Sequence, residues 1–244
     1  MKRALLAFVI LATFLVLPAA SLEDTPSKYR RARQRMVDHQ VRLRGVSDGK
    51  VLAAMAAVPR HRFVPQALKR KAYEDHPLPI GSGQTISQPY IVGLMTEALK
   101  LKANDHILEI GTGSGYQAAV LAKIVKMVTT IEIKEKLHKR AANILGELGY
   151  NNVEPIHGDG YFGQANAAPF DGIMVTAAVD HIPPPLLKQL KDGARLILPL
   201  GNPFSYQNLV LITKKGDDFI TKQITGVLFV PLTGHALDKN NRKR

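Results

Sequence analysis

The chain has no cysteine among its 244 residues. That absence excludes a disulfide framework, a thiolate nucleophile and a zinc site built on cysteine. It leaves the redox compartment open. Histidine gives no metal signal either: His61, His157 and His181 lack ligand spacing and read as surface or packing residues. Internal repeats and long low-complexity runs are missing too, so a packed core is expected. Acidic residues are scarce, 20 against 33 Lys and Arg, for a formal net charge of +13. A basic surface can serve nucleic acid, anionic lipid or acidic protein substrates. The excess gathers at Lys28, Arg30, Arg31, Arg33 and Arg35, and again at Lys239, Arg242, Lys243 and Arg244. Neither cluster interleaves the exposed aromatics of a nucleic-acid groove. Both read as solvated segments, and nucleic acid is disfavoured as a partner.

Lys2 and Arg3 precede an apolar run over residues 4–17, broken by Thr13 and followed by Pro18-Ala19-Ala20-Ser21. A charged start, an apolar stretch of this length and small residues after it describe a signal peptide. The run falls short of the roughly 20 residues of a spanning helix. The flank after it carries more Lys and Arg than the flank before it, which favours a cytoplasmic domain. Residues 1–21 are therefore a signal-like or anchor segment. A cytoplasmic location is favoured, residues 4–17 can serve as a membrane tether, and export to the periplasm is the alternative.

Residues 29–44 predict a basic helix. Ser47 and Asp48 can cap a helix whose apolar positions Val51, Leu52, Met55 and Val58 make one stripe, closed by Pro59. Residues 60–87 are rich in Pro and Gly and read as irregular. Pro89 opens a helix to about Lys100. From Asp105 strands alternate with helices: strands over 106–110, 128–133, 153–156, 172–176 and 195–198, and helices over 115–124, 135–148 and 185–190. Such alternation predicts an α/β, doubly wound parallel sheet. Residues 209–214 and 219–230 predict a C-terminal antiparallel strand pair. The chain divides into the leader 1–21, an N-terminal helical cap at 22–100, a core at 101–235 and a basic tail at 236–244.

The chemistry sits first in Glu109-Ile110-Gly111-Thr112-Gly113-Ser114-Gly115, between a strand and a helix. Glycines there allow positive φ and close backbone approach, and the helix N-terminus adds amide donors. A dinucleotide fingerprint needs glycine where this chain has Tyr116. The pattern that remains is E-x-G-x-G-x-G, suited to a ligand with an ammonium and a sulfonium rather than two phosphates. Glu132 ends the second strand, where a carboxylate can accept both ribose hydroxyls. Asp159-Gly160 follows the third strand and can read an adenine edge. Each alone has a bland reading: a structural turn, a solvated strand-end carboxylate, a plain turn. Their common register is more specific.

These residues resemble the protein-L-isoaspartate O-methyltransferase family from about Val51 to Gly234. The resemblance rests on Val58-Pro59-Arg60 with Phe63-Val64 and on residues 78–90, Leu-Pro-Ile-Gly-Ser-Gly-Gln-Thr-Ile-Ser-Gln-Pro-Tyr. It continues through residues 108–116, His157-Gly158-Asp159-Gly160, Pro169-Phe170-Asp171 and Phe229-Val230-Pro231-Leu232-Thr233-Gly234. It implies a Rossmann-like class I methyltransferase fold, S-adenosyl-L-methionine as cofactor, no metal, and repair methylation of isoaspartyl proteins and peptides. It also implies cofactor contacts from Glu109, Gly111, Thr112, Gly113, Ser114, Gly115, Glu132, Asp159 and Gly160. Ser87 is implied to orient the acceptor carboxylate, with Gln84, Thr85, Ile86, Tyr90 and Thr233 on the substrate side. Ser87 also precedes Pro89 and can be read as a helix N-cap. A monomer is expected. The hydrophobic leader and basic tail depart from the family's usual pattern and bear on location.

The rival readings are a methyltransferase for nucleic acid or a small molecule, and a non-catalytic exported binding module. Base amino-methylation typically uses an Asn/Asp-Pro-Pro-aromatic loop, and residues 176–183 read Thr-Ala-Ala-Val-Asp-His-Ile-Pro instead. Cytosine C5 methylation needs a cysteine nucleophile.

Overall fold

The computed structural model describes residues 26–238; the apolar run at 4–17 and the tail from Lys239 lie outside them. Helix α1 (Pro26–Arg35) runs on through a wider turn at Met36–Val41 and a 3-10 turn at Arg42–Arg44. Gly45, at φ 100°, stops it. Helix α2 (Gly49–Ala57) starts where Asp48 accepts the Lys50 N–H at 2.8 Å. Its apolar stripe is buried at Val51, Leu52 and Met55.

The stretch from Arg60 to Ser87 is more ordered than its composition suggests. Strands β1 (Leu78–Gly81) and β2 (Gln84–Ile86) form an antiparallel hairpin. Its two-residue turn has Ser82 at φ 53° and Gly83 at φ 71°, the twist that suits a tight hairpin. Leu78, Ile80 and Ile86 point into the core. Pro79 is the reason sequence alone suggests a loop, and it is tolerated because this sheet has only two strands. Helix α3 (Pro89–Ala98) follows with proline at its first position and Gln88 as its N-cap; no side chain caps it.

A seven-stranded sheet forms the core. Its strands are β3 (His106–Ile110), β4 (Met127–Glu132), β5 (Val153–His157), β6 (Phe170–Val175), β7 (Leu190–Gly201), β8 (Gln207–Lys215) and β9 (Asp218–Val227). Helices α4 (Tyr116–Ala122), α5 (Glu135–Glu147) and α6 (Pro184–Lys188) connect them. The order is β5-β4-β3-β6-β7-β8-β9. The first five are parallel, and β8 and β9 extend the sheet antiparallel beyond β7. Residue 190, expected to close a helix, instead pairs with Phe170 in the sheet.

Alternation along β3 divides the core. Ile107 packs with the cap, α4 and α5, whereas Leu108 and Ile110 pack with β6, β7 and α6 on the other face. The chain leaves β3 for β4 in one direction and β6 for β7 in the other. That reversal opens a crevice at the strand carboxyl ends.

Candidate active site

The donor side of the crevice begins where β3 ends. The N–H groups of Gly111 and Thr112 both donate to the Ile131 carbonyl, at 2.8 and 3.2 Å. This bends the loop across the end of β4. Gly111 sits at φ 94°, and a Cβ there would lie 2.6 Å from Thr176 Oγ1; both facts require glycine. The Thr176 hydroxyl lies 2.7 Å from the Gly111 carbonyl oxygen and holds the turn from the other strand. Gly160 is needed for a different reason: a Cβ there would come within 2.4 Å of Ile110 Cγ2.

Two carboxylates organise this side. Glu132 accepts the Gly113 N–H at 2.8 Å on one oxygen and the Lys134 N–H at 2.9 Å on the other. A carboxylate offers about four acceptor sites, so acceptor capacity remains on each oxygen. Glu109 is fully buried. One oxygen accepts the Thr130 hydroxyl, whose oxygen lies 2.7 Å from that of Thr112. The other oxygen has no partner. Burial, with Glu132 adding repulsion, pushes its pKa up to about 8 against the pull of Thr130.

The facing wall comes from the cap. Gln84, Thr85, Ile86 and Ser87 line the same crevice as Glu109, Gly111 to Ser114, Glu132 and Gly160. Val230 to Thr233 close it from the C-terminal segment, which is stitched to the loop after β6 by two hydrogen bonds of 2.8 Å through Ala178. The Ser87 carbonyl accepts from Arg60 Nη2 at 2.8 Å.

Three expected residues stand apart from the crevice. Gly115, at φ 86°, is the N-cap of α4 and packs on Ala141 and Leu145 of α5. Asp159 accepts the Tyr161 N–H at 3.0 Å and the His235 N–H at 2.7 Å, clamping the C-terminal segment to the β5 loop. Tyr90 carries the Arg44 guanidinium 3.7 Å from its ring centroid on the cap. Among the histidines, His61 stacks on Tyr29, His157 lies 3.1 Å from the Ile133 carbonyl oxygen, and His181 bridges Asp180 and Tyr161. Among the described residues no His, Asp and Glu cluster could hold a metal. Thr130, Thr176 and Ala177 were not singled out in the sequence. Only the fold places them beside the glycine loop, because they come from neighbouring strands.

The residues fit an S-adenosylmethionine-type ligand. A buried carboxyl oxygen without a partner suits an ammonium, and free acceptor capacity at a strand end suits ribose hydroxyls. Glycine at 160 lets the backbone lie directly against Ile110 at the edge of the crevice.

The sequence profile described as protein-L-isoaspartate(D-aspartate) O-methyltransferase matches residues 31–237. Protein-L-isoaspartate O-methyltransferase 2 of Shewanella sediminis is 61% identical over 244 residues, covering 100% of both chains. Protein-L-isoaspartate O-methyltransferase 1 of Nitrosospira multiformis is 58% identical over 85% of this chain and 89% of its own. A solved protein-L-isoaspartate O-methyltransferase superposes with a TM-score of 0.77 at 30% identity, covering 88% of this chain and 69% of that one. A second, from Plasmodium falciparum and in complex with S-adenosyl-L-homocysteine, gives a TM-score of 0.71 at 25% identity, covering 82% and 98%.

Proposed function

The chain belongs to the protein-L-isoaspartate(D-aspartate) O-methyltransferase family, and from that premise we propose how its crevice divides the work between a donor wall and an acceptor wall. The enzyme moves a methyl group from S-adenosyl-L-methionine to the free carboxylate of L-isoaspartyl residues in damaged proteins and peptides. The observation that supports this division is the meeting of the Glu109–Gly113 loop with Gln84–Ser87 in one crevice.

The bound cofactor supplies a methyl group activated by positive sulfur. The acceptor is a carboxylate with a reference pKa near 4, ionised at neutral pH. It needs no general base, so positioning is the main task left to the protein. Glu109 takes the donor's ammonium, and Glu132 uses its spare acceptor sites for the ribose hydroxyls. Gly111 and Gly113 let the backbone approach, and the Gly160 backbone, beside Asp159, reads the adenine edge. Ser87 orients the acceptor carboxylate. Its hydroxyl is free of helix duty, because Gln88 occupies the N-cap position of α3. Thr233 closes the substrate side with Gln84 and Thr85.

Methyl transfer from labelled cofactor to matched peptides tests this reading. Label should enter the isoaspartyl peptide and not the aspartyl one. Equal labelling of both, or of neither, would overturn it. We further assign residues 4–17 as a tether that leaves the enzyme, a monomer, on the cytoplasmic side. Among the described residues no helix is long and apolar enough to cross a membrane. Cell fractionation with sequencing of the mature N-terminus tests the tether, and a cleaved, periplasmic product would sink it.

A further inference from the structure

Arg60 is the largest fully buried side chain of the described residues. Nε donates to the Ala72 carbonyl at 2.7 Å and Nη2 to the Ser87 carbonyl at 2.8 Å. Nη1 has no partner. The guanidinium lies 4.9 Å from the ring centroid of Tyr116, another residue of the crevice lining, whose hydroxyl is likewise buried and makes no close hydrogen bond. The charged or titratable groups acting on Arg60 are the phenols of Tyr116 and Tyr73. Burial lowers its pKa to about 10, so it remains a cation at neutral pH.

A buried charge without a counter-ion is costly, and native proteins seldom keep one idle. All the groups that accept from Arg60 are uncharged: the two carbonyls and, more weakly, the Tyr116 hydroxyl. Among the described residues no carboxylate pairs with it. Arg60 does not itself line the crevice, but Ser87, whose carbonyl it holds, and Tyr116, whose ring it faces, both do. The crevice beside Ser87 is where the acceptor carboxylate belongs under the reading above, on which this inference rests.

We propose that Arg60 is a positioning residue for the acceptor: it fixes the Ser87 peptide and supplies the missing counter-charge to the isoaspartyl carboxylate. Two effects follow. The cation draws the free carboxylate into a low-dielectric site, where its field is little screened. It gives no such help to the methyl ester, which is neutral. Arg60 therefore makes the site prefer substrate over product.

The test compares the full-length wild type with Arg60→Lys and Arg60→Met. Dissociation constants are measured for an isoaspartyl peptide and for its methyl ester, with S-adenosyl-L-homocysteine present. Affinity for S-adenosyl-L-homocysteine reports whether the donor wall is intact. The wild type should prefer the acid over the ester, and Arg60→Met should weaken that preference at least tenfold. Arg60→Lys should restore part of it. Equal weakening of acid and ester, with the ratio unchanged, would mean a purely structural role and would overturn the proposal. If Arg60→Met does not fold, the wild type decides. A peptide ¹³C-labelled at the isoaspartyl carboxyl should titrate lower when bound than when free, and an unchanged or raised midpoint would refute the counter-charge. Absence of isoaspartyl methylation by the wild type would instead remove the underlying reading.

Discussion

The two walls of the crevice are built on different plans. The donor wall is made of strand ends, and its polar groups largely satisfy each other. Glu132 binds the backbone of the loop that precedes it in space, and Thr112, Thr130 and Glu109 form a buried chain. The acceptor wall is a short hairpin leading into α3, and its key hydroxyl, Ser87, stands clear of the helix cap. Yet each wall keeps one buried ionisable side chain without a charged partner: Glu109 on the donor side, Arg60 on the acceptor side. Their signs complement a cationic donor and an anionic acceptor. Methyl transfer joins these charges into neutral products, a step that a low-dielectric site favours over water. The donor wall is preorganised by its own bonds, and the acceptor wall is completed by the substrate.

Substitutions can break this contrast. The largest effect is expected from Gly111→Ala, where positive φ and the 2.6 Å approach to Thr176 conflict with any side chain. Donor affinity should fall at least about a hundredfold and stability by about 2–3 kcal/mol, read by calorimetry and thermal melts. Ser87→Ala should behave oppositely in kind. The peptide kcat/KM should drop roughly 10- to 100-fold while donor affinity and melting temperature hold, because no helix cap is lost. A fall in melting temperature comparable to that of Gly111→Ala would erase the distinction between the walls.

Glu109→Gln sharpens the donor side through pH. The folded pKa, about 8, lies above the ordinary 4.5. The stability contributed by the buried neutral acid is therefore present below the ordinary value and lost as pH rises through about 8. The amide cannot ionise, so the variant should outlast the wild type near pH 9 by on the order of 2 kcal/mol. Donor affinity should fall about tenfold across the range, since the ammonium loses its partner. A variant less stable than the wild type at pH 9 would remove the argument that burial raises the Glu109 pKa. The smallest effect is expected at Tyr90, which lies off the crevice beneath Arg44. Tyr90→Ala should cost about 1 kcal/mol through lost packing and the cation–π contact and leave peptide KM within twofold.

Much of this was legible in the sequence, for physical reasons that differ by region. The alternation from His106 onward announced the parallel sheet, because buried strands and amphipathic helices have distinct periods. The glycine loop stood out because strand, turn and helix followed in order. The hairpin at Leu78–Ile86 was hidden: Pro79 and three glycine or serine residues resemble a loop, and the Ser82-Gly83 turn is recognisable only once both flanks pair. Arg60 and Thr130 were hidden more deeply. Nothing in the spacing of an arginine declares that it will be fully buried under a serine 27 residues away. Asp159 and Tyr90 show the converse, since their motif positions are clear while their side chains turn to the C-terminal segment and to the cap.

The Asp159 clamp has a practical corollary. Because its carboxylate grips the His235 amide, the end of the chain is part of the donor site's scaffolding, although it lies far from the glycine loop in sequence. Carboxypeptidase trimming that stops after Leu237 would shave off the cationic tail and spare the grip. Trimming that reaches Thr233 would release Asp159 and leave the β5 loop slack, with the sheet intact. An affinity handle for purification can therefore take the place of the tail, but must not replace residues up to His235.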